Sequence, residues 1–238
     1  MKIALIGYGK MGKAIEEVAV AKGHTILFKF DVFNQEMFTK ENLQQCDVAI
    51  EFTNPHSAVD NLKKCFEAGV PVVCGSTGWL ANWEAVKADC EAKNAAFVYS
   101  SNYSIGVNLF FELNTYLAKL MSKHSNYDVM LEEIHHTEKK DAPSGTAITL
   151  AEQILQNITN KKIWVNDISD NKEELEIISK RIDPAPGTHT IKYHSPIDDI
   201  EITHTAHNRL GFAGGAVLAA AFILGKKGIY NMKEVLGL

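Results

Sequence analysis

The stretch Lys2-Ile3-Ala4-Leu5-Ile6-Gly7-Tyr8-Gly9-Lys10-Met11-Gly12 decides the fold. Residues 2–6 form a short apolar run of the length expected for a buried parallel strand. Gly7, Gly9 and Gly12 follow in G-x-G-x-x-G order, and a helical pattern runs on through Ala21 until Gly23 stops it. In that strand–loop–helix context the first glycine allows a tight turn and the second lets the backbone approach a pyrophosphate. The third permits close packing of helix on strand. The helix start offers free N–H groups and the positive end of its dipole to phosphate. Asp31 lies nineteen residues past Gly12, at the end of a second strand over residues 24–30. An acid there accepts hydrogen bonds from the adenosine ribose hydroxyls, so NADH is the favoured nucleotide. Lys10 and Lys29 soften the repulsion of a 2′-phosphate and leave NADPH open as a second donor.

Outward from this unit the alternation continues. Residues 32–45 are polar and carry no clear pattern. Residues 47–52 read as a third strand, with Thr53-Asn54-Pro55 as its exit turn. Ser57 is the expected cap of a helix running to Ala68, which Gly69 ends. A fourth strand over residues 70–74, a helix over 80–93 and a fifth strand over 97–99 complete the series. Strands alternating with helices imply a parallel, doubly wound sheet of Rossmann type in an α/β protein. The loops Gly75-Ser76-Thr77-Gly78 and Ser100-Ser101-Asn102-Tyr103 leave the carboxyl ends of strands, where this architecture puts its nucleotide cleft.

After Ser100 the character changes. Residues 107–123 read as a long amphipathic helix, 128–135 as a strand and 146–158 as a helix. Residues 176–182, 188–194 and 199–206 are β-rich with no helix between them. They imply a smaller α+β domain with an open mixed or antiparallel sheet. The tail from Ala213 is helical with a short apolar end, and is expected to return to the first domain. The expected division is a dinucleotide-binding domain of residues 1–103 and 210–238, and a substrate domain of residues 104–209.

Composition narrows the function. The chain has 238 residues, 46% hydrophobic and 22% charged, an ordinary globular balance. A net charge of −5 argues against nucleic acid as a partner. No apolar run approaches the ~20 residues of a membrane span, and the start shows no cleavage-site pattern, so a cytoplasmic protein is expected. Cys46, Cys65, Cys74 and Cys90 are widely spaced without a Cys-x-x-Cys, which favours free thiols in or near the core.

The second informative stretch is Glu133-Ile134-His135-His136-Thr137-Glu138-Lys139-Lys140-Asp141-Ala142-Pro143-Ser144-Gly145-Thr146. His135 and His136 can move protons at neutral pH, and Lys139 can neutralise a carboxylate or donate a proton. On a strand the two imidazoles point to opposite faces, so one at a time meets a ligand. Ser144 or Thr146 caps the helix that follows, and Gly145 leaves its amides exposed to an anion. Taken singly each residue suits a solvated loop; together, beside a nucleotide fingerprint, they suit a reductase of a small anion. His204 and His207 lack a carboxylate or cysteine at ligand spacing, so no metal is expected. Two other classes stay open on the residues alone. One is a different two-domain nicotinamide dehydrogenase of a small amino or dicarboxylic acid. The other is a non-catalytic NADH-sensing protein.

These motifs resemble those of the 4-hydroxy-tetrahydrodipicolinate (dihydrodipicolinate) reductase family of lysine and diaminopimelate biosynthesis. The likeness rests on His135-His136-x-x-Lys139 with Asp141-Ala142-Pro143-Ser144-Gly145-Thr146-Ala147. It is supported by Phe52-Thr53-x-Pro55, by Ser101-Asn102-Tyr103-Ser104-x-Gly106-Val107-Asn108, and by Glu201-Ile202-Thr203-His204 leading to Arg209. The resemblance implies catalytic roles for His135 and Lys139, and substrate contacts from His136, Ser144, Gly145 and Thr146. It implies cofactor contacts from Gly7, Tyr8, Gly9, Lys10, Met11, Gly12, Asp31, Gly75, Ser76, Thr77, Ser100, Ser101, Asn102 and Tyr103. It further implies a small cyclic dicarboxylate as substrate and a homotetramer assembled through the second domain's sheet. Lys10 stands where the family usually has arginine and Ser76 where threonine is common. The chain is also short for the family, with the stretch after Asp31 as the expected place of the missing residues.

Overall fold

The computed structural model describes residues 1–238 and separates into two compact units: Met1–Ile105 with Arg209–Leu238, and Gly106–Asn208. The first unit runs β1 (Lys2–Ile6), α1 (Lys10–Ala21), β2 (Thr25–Phe30), α2 (Lys40–Leu43), β3 (Val48–Glu51), α3 (Pro55–Ala68), β4 (Val72–Cys74), α4 (Trp83–Ala92) and β5 (Ala96–Tyr99). The second runs α5 (Ile105–Met121), β6 (Asp128–His135), α6 (Gly145–Leu155), β7 (Ile163–Val165), β8 (Glu174–Arg181), β9 (Gly187–His194) and β10 (Asp199–Ala206). The tail, α7 (Leu210–Ile223), β11 (Gly228–Tyr230) and α8 (Met232–Leu236), belongs to the first unit.

The first sheet has the order β11-β5-β4-β3-β1-β2, and every pairing in it is parallel. Its strands are apolar on both faces because both are covered. Ala4 and Ile6 face a core built with Ala58, Leu62, Cys65 and Phe66 of α3 and Val86 and Cys90 of α4. Ile3 and Leu5 face the opposite core, built with Ile15 and Ala19 of α1 and Ala216, Val217 and Ala220 of α7. Each large side chain buried this way contributes roughly 1.5–3 kcal/mol. All four cysteines are free and buried in the first of these cores.

Local sequence explains the element ends. The cap of α3 is Asn54 rather than Ser57: its Oδ1 accepts from His56 N at 2.9 Å and Ser57 N at 3.2 Å. Pro55 then takes the first helical position, where its missing N–H costs nothing, and Ser57 sits inside the first turn with its Oγ 3.0 Å from Thr53 Oγ1. Gly69 closes the helix in the left-handed region at φ 70°. The polar stretch after β2 folds as a single 3₁₀ turn, Gln35–Met37, and the short α2. Two three-residue edge strands, β7 and β11, were not expected; both are too short to stand out in the sequence, although Ile163-Trp164-Val165 has high strand propensity.

The second sheet is mixed, in the order β10-β9-β6-β8-β7. Strand β6 runs parallel to β8 and antiparallel to β9. One face is covered by α5 and α6 over Val129, Leu131, Leu175, Ile177, Ile191 and Tyr193. Asn114 of α5 is fully buried and donates to Leu150 O and Gln153 Oε1 of α6, fastening the two covering helices together. No helix is long and apolar enough to cross a membrane.

Candidate active site

In the first unit the carboxyl ends of β1, β2 and β3 open onto a cleft of about 620 Å³. Gly7, Tyr8, Gly9, Asp31, Thr53 and Asn54 are among its lining residues. The glycines answer to distinct constraints. A Cβ on Gly7, which sits at φ +91°, would run into the Phe52 carbonyl, and one on Gly12 would run into the Gly7 carbonyl. A Cβ on Gly9 would meet nothing within 4 Å, so that residue faces open space at the start of α1. That helix has no side-chain cap and no acid in its first turn. Its unpaired N–H groups and positive dipole end suit an anion. Asp31 is one of the residues lining the cleft, with Oδ1 accepting from Val32 N at 2.7 Å. Lys29 is committed elsewhere: its Nζ lies 2.6 Å from Glu16 Oε1 and 4.7 Å above the Tyr8 ring. The cleft, the bare helix start and the acid together fit a dinucleotide.

The two neighbouring loops are tied from beneath by a buried acid. Glu51, fully buried at the end of β3, accepts from Ser76 Oγ at 3.1 Å and from Cys74 Sγ at 3.0 Å, and is also bonded by Thr53 Oγ1. Ser76 Oγ in turn accepts from Thr53 N at 2.7 Å. The Ser76 side chain therefore joins the loops after β3 and β4 and does not face the cleft. Gly75 is needed because a Cβ there would overlap the Phe52 ring, whereas Thr77 is exposed. Tyr103 departs further from expectation. It is buried to 2% exposure, and its hydroxyl bonds the Cys74 and Val98 carbonyls at 2.8 and 3.1 Å. Burial raises its phenol well above the usual range. Its side chain is core, while Ser100, Ser101 and Asn102 remain at the surface side of that loop.

In the second unit β6 delivers His135 to a buried carboxylate. Glu133 and His135 are two apart on one strand and so share a face. Glu133 has no exposure and His135 is 8% exposed. His135 Nδ1 lies 3.3 Å from Glu133 Oε2, close but short of good hydrogen-bond alignment. The ring's Nε2 passes over Gly187, where a Cβ would stand 3.0 Å from it. Glu133 also accepts from Ser144 N at 3.1 and 3.2 Å and from Ser179 Oγ at 2.8 Å, and Arg181 Nη2 is 3.3 Å away. Burial alone would raise the Glu133 carboxyl; His135 beside it and the hydrogen bonds from Ser144 and Ser179 outweigh that and hold the group well below the ordinary carboxylate range. His189, beside them, is 3.1 Å from Ser144 Oγ through Nε2, and burial and then the His135 charge lower it to about 3.

The remaining expected residues lie on the loop between β6 and α6. His136 follows the strand end and is half-buried. Lys139 Nζ holds both oxygens of Asp141, at 2.9 and 2.8 Å. Burial would raise Asp141, and the Lys139 bond more than offsets it. Ser144 is the true cap of α6, its Oγ accepting from Ala147 N at 3.2 Å. Thr146 therefore lies in the first turn rather than at the cap, next to the exposed Gly145. Arg209 is the exposed residue before α7 and makes no side-chain cap. Glu133, Ser179, Arg181 and His189 were not expected from sequence. Their signal is the period of two that puts Glu133 on the His135 face, together with a register that only pairing reveals.

A doubly wound nucleotide cleft in one unit, and a buried imidazole–carboxylate pair beside a lysine and an open helix start in the other, define a two-domain nicotinamide-dependent oxidoreductase. Comparison with known proteins narrows this. A family model described as dihydrodipicolinate reductase, N-terminus, matches residues 1–103, and one described as dihydrodipicolinate reductase, C-terminus, matches residues 106–236. The chain belongs to the dihydrodipicolinate reductase family. A 4-hydroxy-tetrahydrodipicolinate reductase of Christiangramia forsetii is 49% identical over 238 residues, covering 99% of this chain and 98% of that protein. One from Methanocaldococcus jannaschii is 39% identical, covering 81% and 72%. In fold, the chain matches a dipicolinate-bound dihydrodipicolinate reductase from Paenisporosarcina sp. TG-14 with a TM-score of 0.76, at 20% identity and over 98% of each chain. An amine dehydrogenase from Mycobacterium smegmatis shares the fold more loosely, with a TM-score of 0.63 at 12% identity over 98% and 95% of the two chains.

Proposed function

We propose that this chain reduces 4-hydroxy-tetrahydrodipicolinate to tetrahydrodipicolinate, with NADH preferred to NADPH, and that His135 supplies the proton. The observation that carries the proton role is the placement of His135 against an ionised, fully buried Glu133 on one strand face. Loss of the 4-hydroxyl as water leaves a conjugated ring. When bound in the cleft of the first unit, the reduced nicotinamide supplies a hydride to C4 of that ring. Negative charge then spreads toward the ring nitrogen and the adjoining carbon, and an acid must quench it. His135 delivers that proton; Lys139 is a second acid of the same loop and a counter-charge for a substrate carboxylate. His136 and the Ser144-Gly145-Thr146 turn hold the other polar edge of the substrate, which is orientation rather than bond-making.

The same reading assigns the nucleotide to Gly7, Tyr8, Gly9, Lys10, Met11 and Gly12, with Asp31 on the ribose. Gly75, Thr77, Ser100, Ser101 and Asn102 serve as the adjoining loops. Asp31 sets the preference for NADH by repelling a 2′-phosphate. Lys29 offers no relief, because Glu16 neutralises it. A homotetramer through the second sheet is part of the proposal. It is supported by the face that α5 and α6 leave bare, where Met130, Glu132, Thr190, Lys192 and Glu201 line a shallow depression. Light scattering on the purified protein tests it, and a monomer would refute it. The cytoplasm is the proposed location; four buried free thiols suit a reducing compartment.

The functional test is NADH oxidation with substrate made in place by a dihydrodipicolinate synthase from pyruvate and aspartate semialdehyde, with NADPH run in parallel. Oxidation that depends on the synthase, faster with NADH, supports the reading. Nucleotide binding without synthase-dependent oxidation would discard the substrate.

A further inference from the structure

We propose that Glu133 is a positioning residue for this reduction: one buried carboxylate sets the His135 ring, the Lys139–Asp141 loop and the first turn of α6. The inference rests on the reductase reading and goes beyond it, since none of the motifs assigns Glu133 a part. The connections are direct. In the β8–β6–β9 register Glu133 pairs with Ser179 on one side and His189 on the other, and His135 pairs with Arg181. Ser179 Oγ donates to the carboxylate at 2.8 Å, and the Ser144 amide donates to both of its oxygens. That amide belongs to the residue capping α6, so the carboxylate fixes where the exposed first turn of α6 begins. Arg181 reaches the carboxylate with Nη2 and ties the loop with Nε 3.3 Å from Lys139 O and Nη2 2.6 Å from Asp141 O, while Nη1 donates to Lys180 O of its own strand at 2.9 Å. His135 Nδ1 faces the carboxylate at 3.3 Å. Whenever the ring is neutral, a carboxylate facing Nδ1 favours the tautomer with its proton on that atom, leaving Nε2 as the atom that exchanges protons.

Two other roles fit the same residues less well. A plain structural ion pair would need only Arg181, yet the carboxylate spends its oxygens on the loop and helix that carry the substrate-facing groups. A metal is the second: Glu133, His135 and His189 bring ligand atoms within 4.8 Å of one another. The Ser144 amide, Ser179 hydroxyl and Arg181 cation already crowd both carboxylate oxygens, and a guanidinium beside a bound cation is repulsive.

Kinetics, NMR and metal analysis decide it. In the synthase-coupled assay Glu133→Gln should lower kcat at least tenfold and raise KM for the ring substrate, with NADH affinity by fluorescence unchanged. In a His135→Gln background the same change should cost less than twofold further in kcat, because the two residues act as one unit. Multiplicative losses, or kcat falling only with the folded fraction, would overturn positioning. Nitrogen-15 NMR of the wild-type protein needs no variant and no activity. At a pH where the His135 ring is neutral it should find the ring proton on Nδ1; the proton on Nε2 would overturn the proposal. Stoichiometric zinc in the purified protein, or loss of activity to a chelator, would also overturn it, since Glu133 would then be a ligand. Should Glu133→Gln fail to fold, Ser179→Ala removes one donor without touching His135, and a loss of kcat there is expected; unchanged kcat would count against the proposal. If the wild-type chain oxidises no NADH the reductase reading fails, while the tautomer still decides the role of Glu133.

Discussion

The two units make their candidate sites from different materials. The first uses backbone: three glycines, an uncapped helix start and one acid at a strand end, around an open cleft. The second uses side chains: a fully buried carboxylate, two imidazoles and a guanidinium held by cross-strand pairing. Backbone sites are sensitive to added volume where their glycines are closely packed, as at Gly7 and Gly12, and rest little on side-chain ionisation. Charge clusters are the reverse, with their geometry resting on which groups are ionised. The difference teaches where each unit should fail when perturbed.

The largest expected effect is on the side-chain site. His135→Gln should lower kcat by about 10²–10⁴-fold with little change in KM; steady-state rates check this, and equal losses in kcat and affinity would remove its acid role. The backbone site should break in a different way. Gly12→Ala puts a Cβ against the Gly7 carbonyl, so about 1–3 kcal/mol of stability should go with the cofactor affinity. Gly9→Ala meets nothing within 4 Å. It should keep the wild-type melting temperature and raise KM for NADH by on the order of tenfold, about 1.4 kcal/mol. If the two alanine variants melt alike, the distinction between the glycines is wrong.

Acid should find the second unit first. Unfolded, His189 takes up a proton below about 6.5, whereas folded it resists until about 3. Between those values the unfolded chain binds more protons, so stability falls as pH drops through that window, by on the order of 5 kcal/mol in all. Glu133 has a folded carboxyl below its ordinary 4.5, so it adds a further loss under that pH. Urea midpoints from pH 7 to 4 should show the slope, and His189→Asn should flatten its upper part. A flat wild-type profile would contradict the burial of a neutral His189. The smallest effect belongs to Asp31→Ala, which should narrow the NADH to NADPH rate ratio a few-fold. An unchanged ratio would remove Asp31 from the ribose.

The same contrast explains what could be read in the chain. The strand–glycine–helix unit is local in sequence, so β1, α1 and the place of Asp31 follow from spacing alone. The bounds of β6 were legible in the sequence, and the helix after Ser144 follows from its cap. Tyr103 was expected at the cleft because its loop leaves the carboxyl end of a strand, but its side chain is buried and its hydroxyl bonds strand carbonyls that no local pattern reveals. Ser57 lost the α3 cap to Asn54, which the following Pro55 favours once it takes the first helical position. The Glu133 network was illegible for a plainer reason. Ser179, Arg181 and His189 lie more than forty residues downstream, and only the pairing of β8 and β9 against β6 brings them to one carboxylate.

The most direct test of the account is to follow the label from nicotinamide deuterated at its reducing position, with ring substrate supplied by the synthase. The account predicts tetrahydrodipicolinate carrying deuterium at ring C4, with the compensating proton drawn from solvent. Unlabelled product, or a deuterated nucleotide that binds and is never consumed, would contradict it.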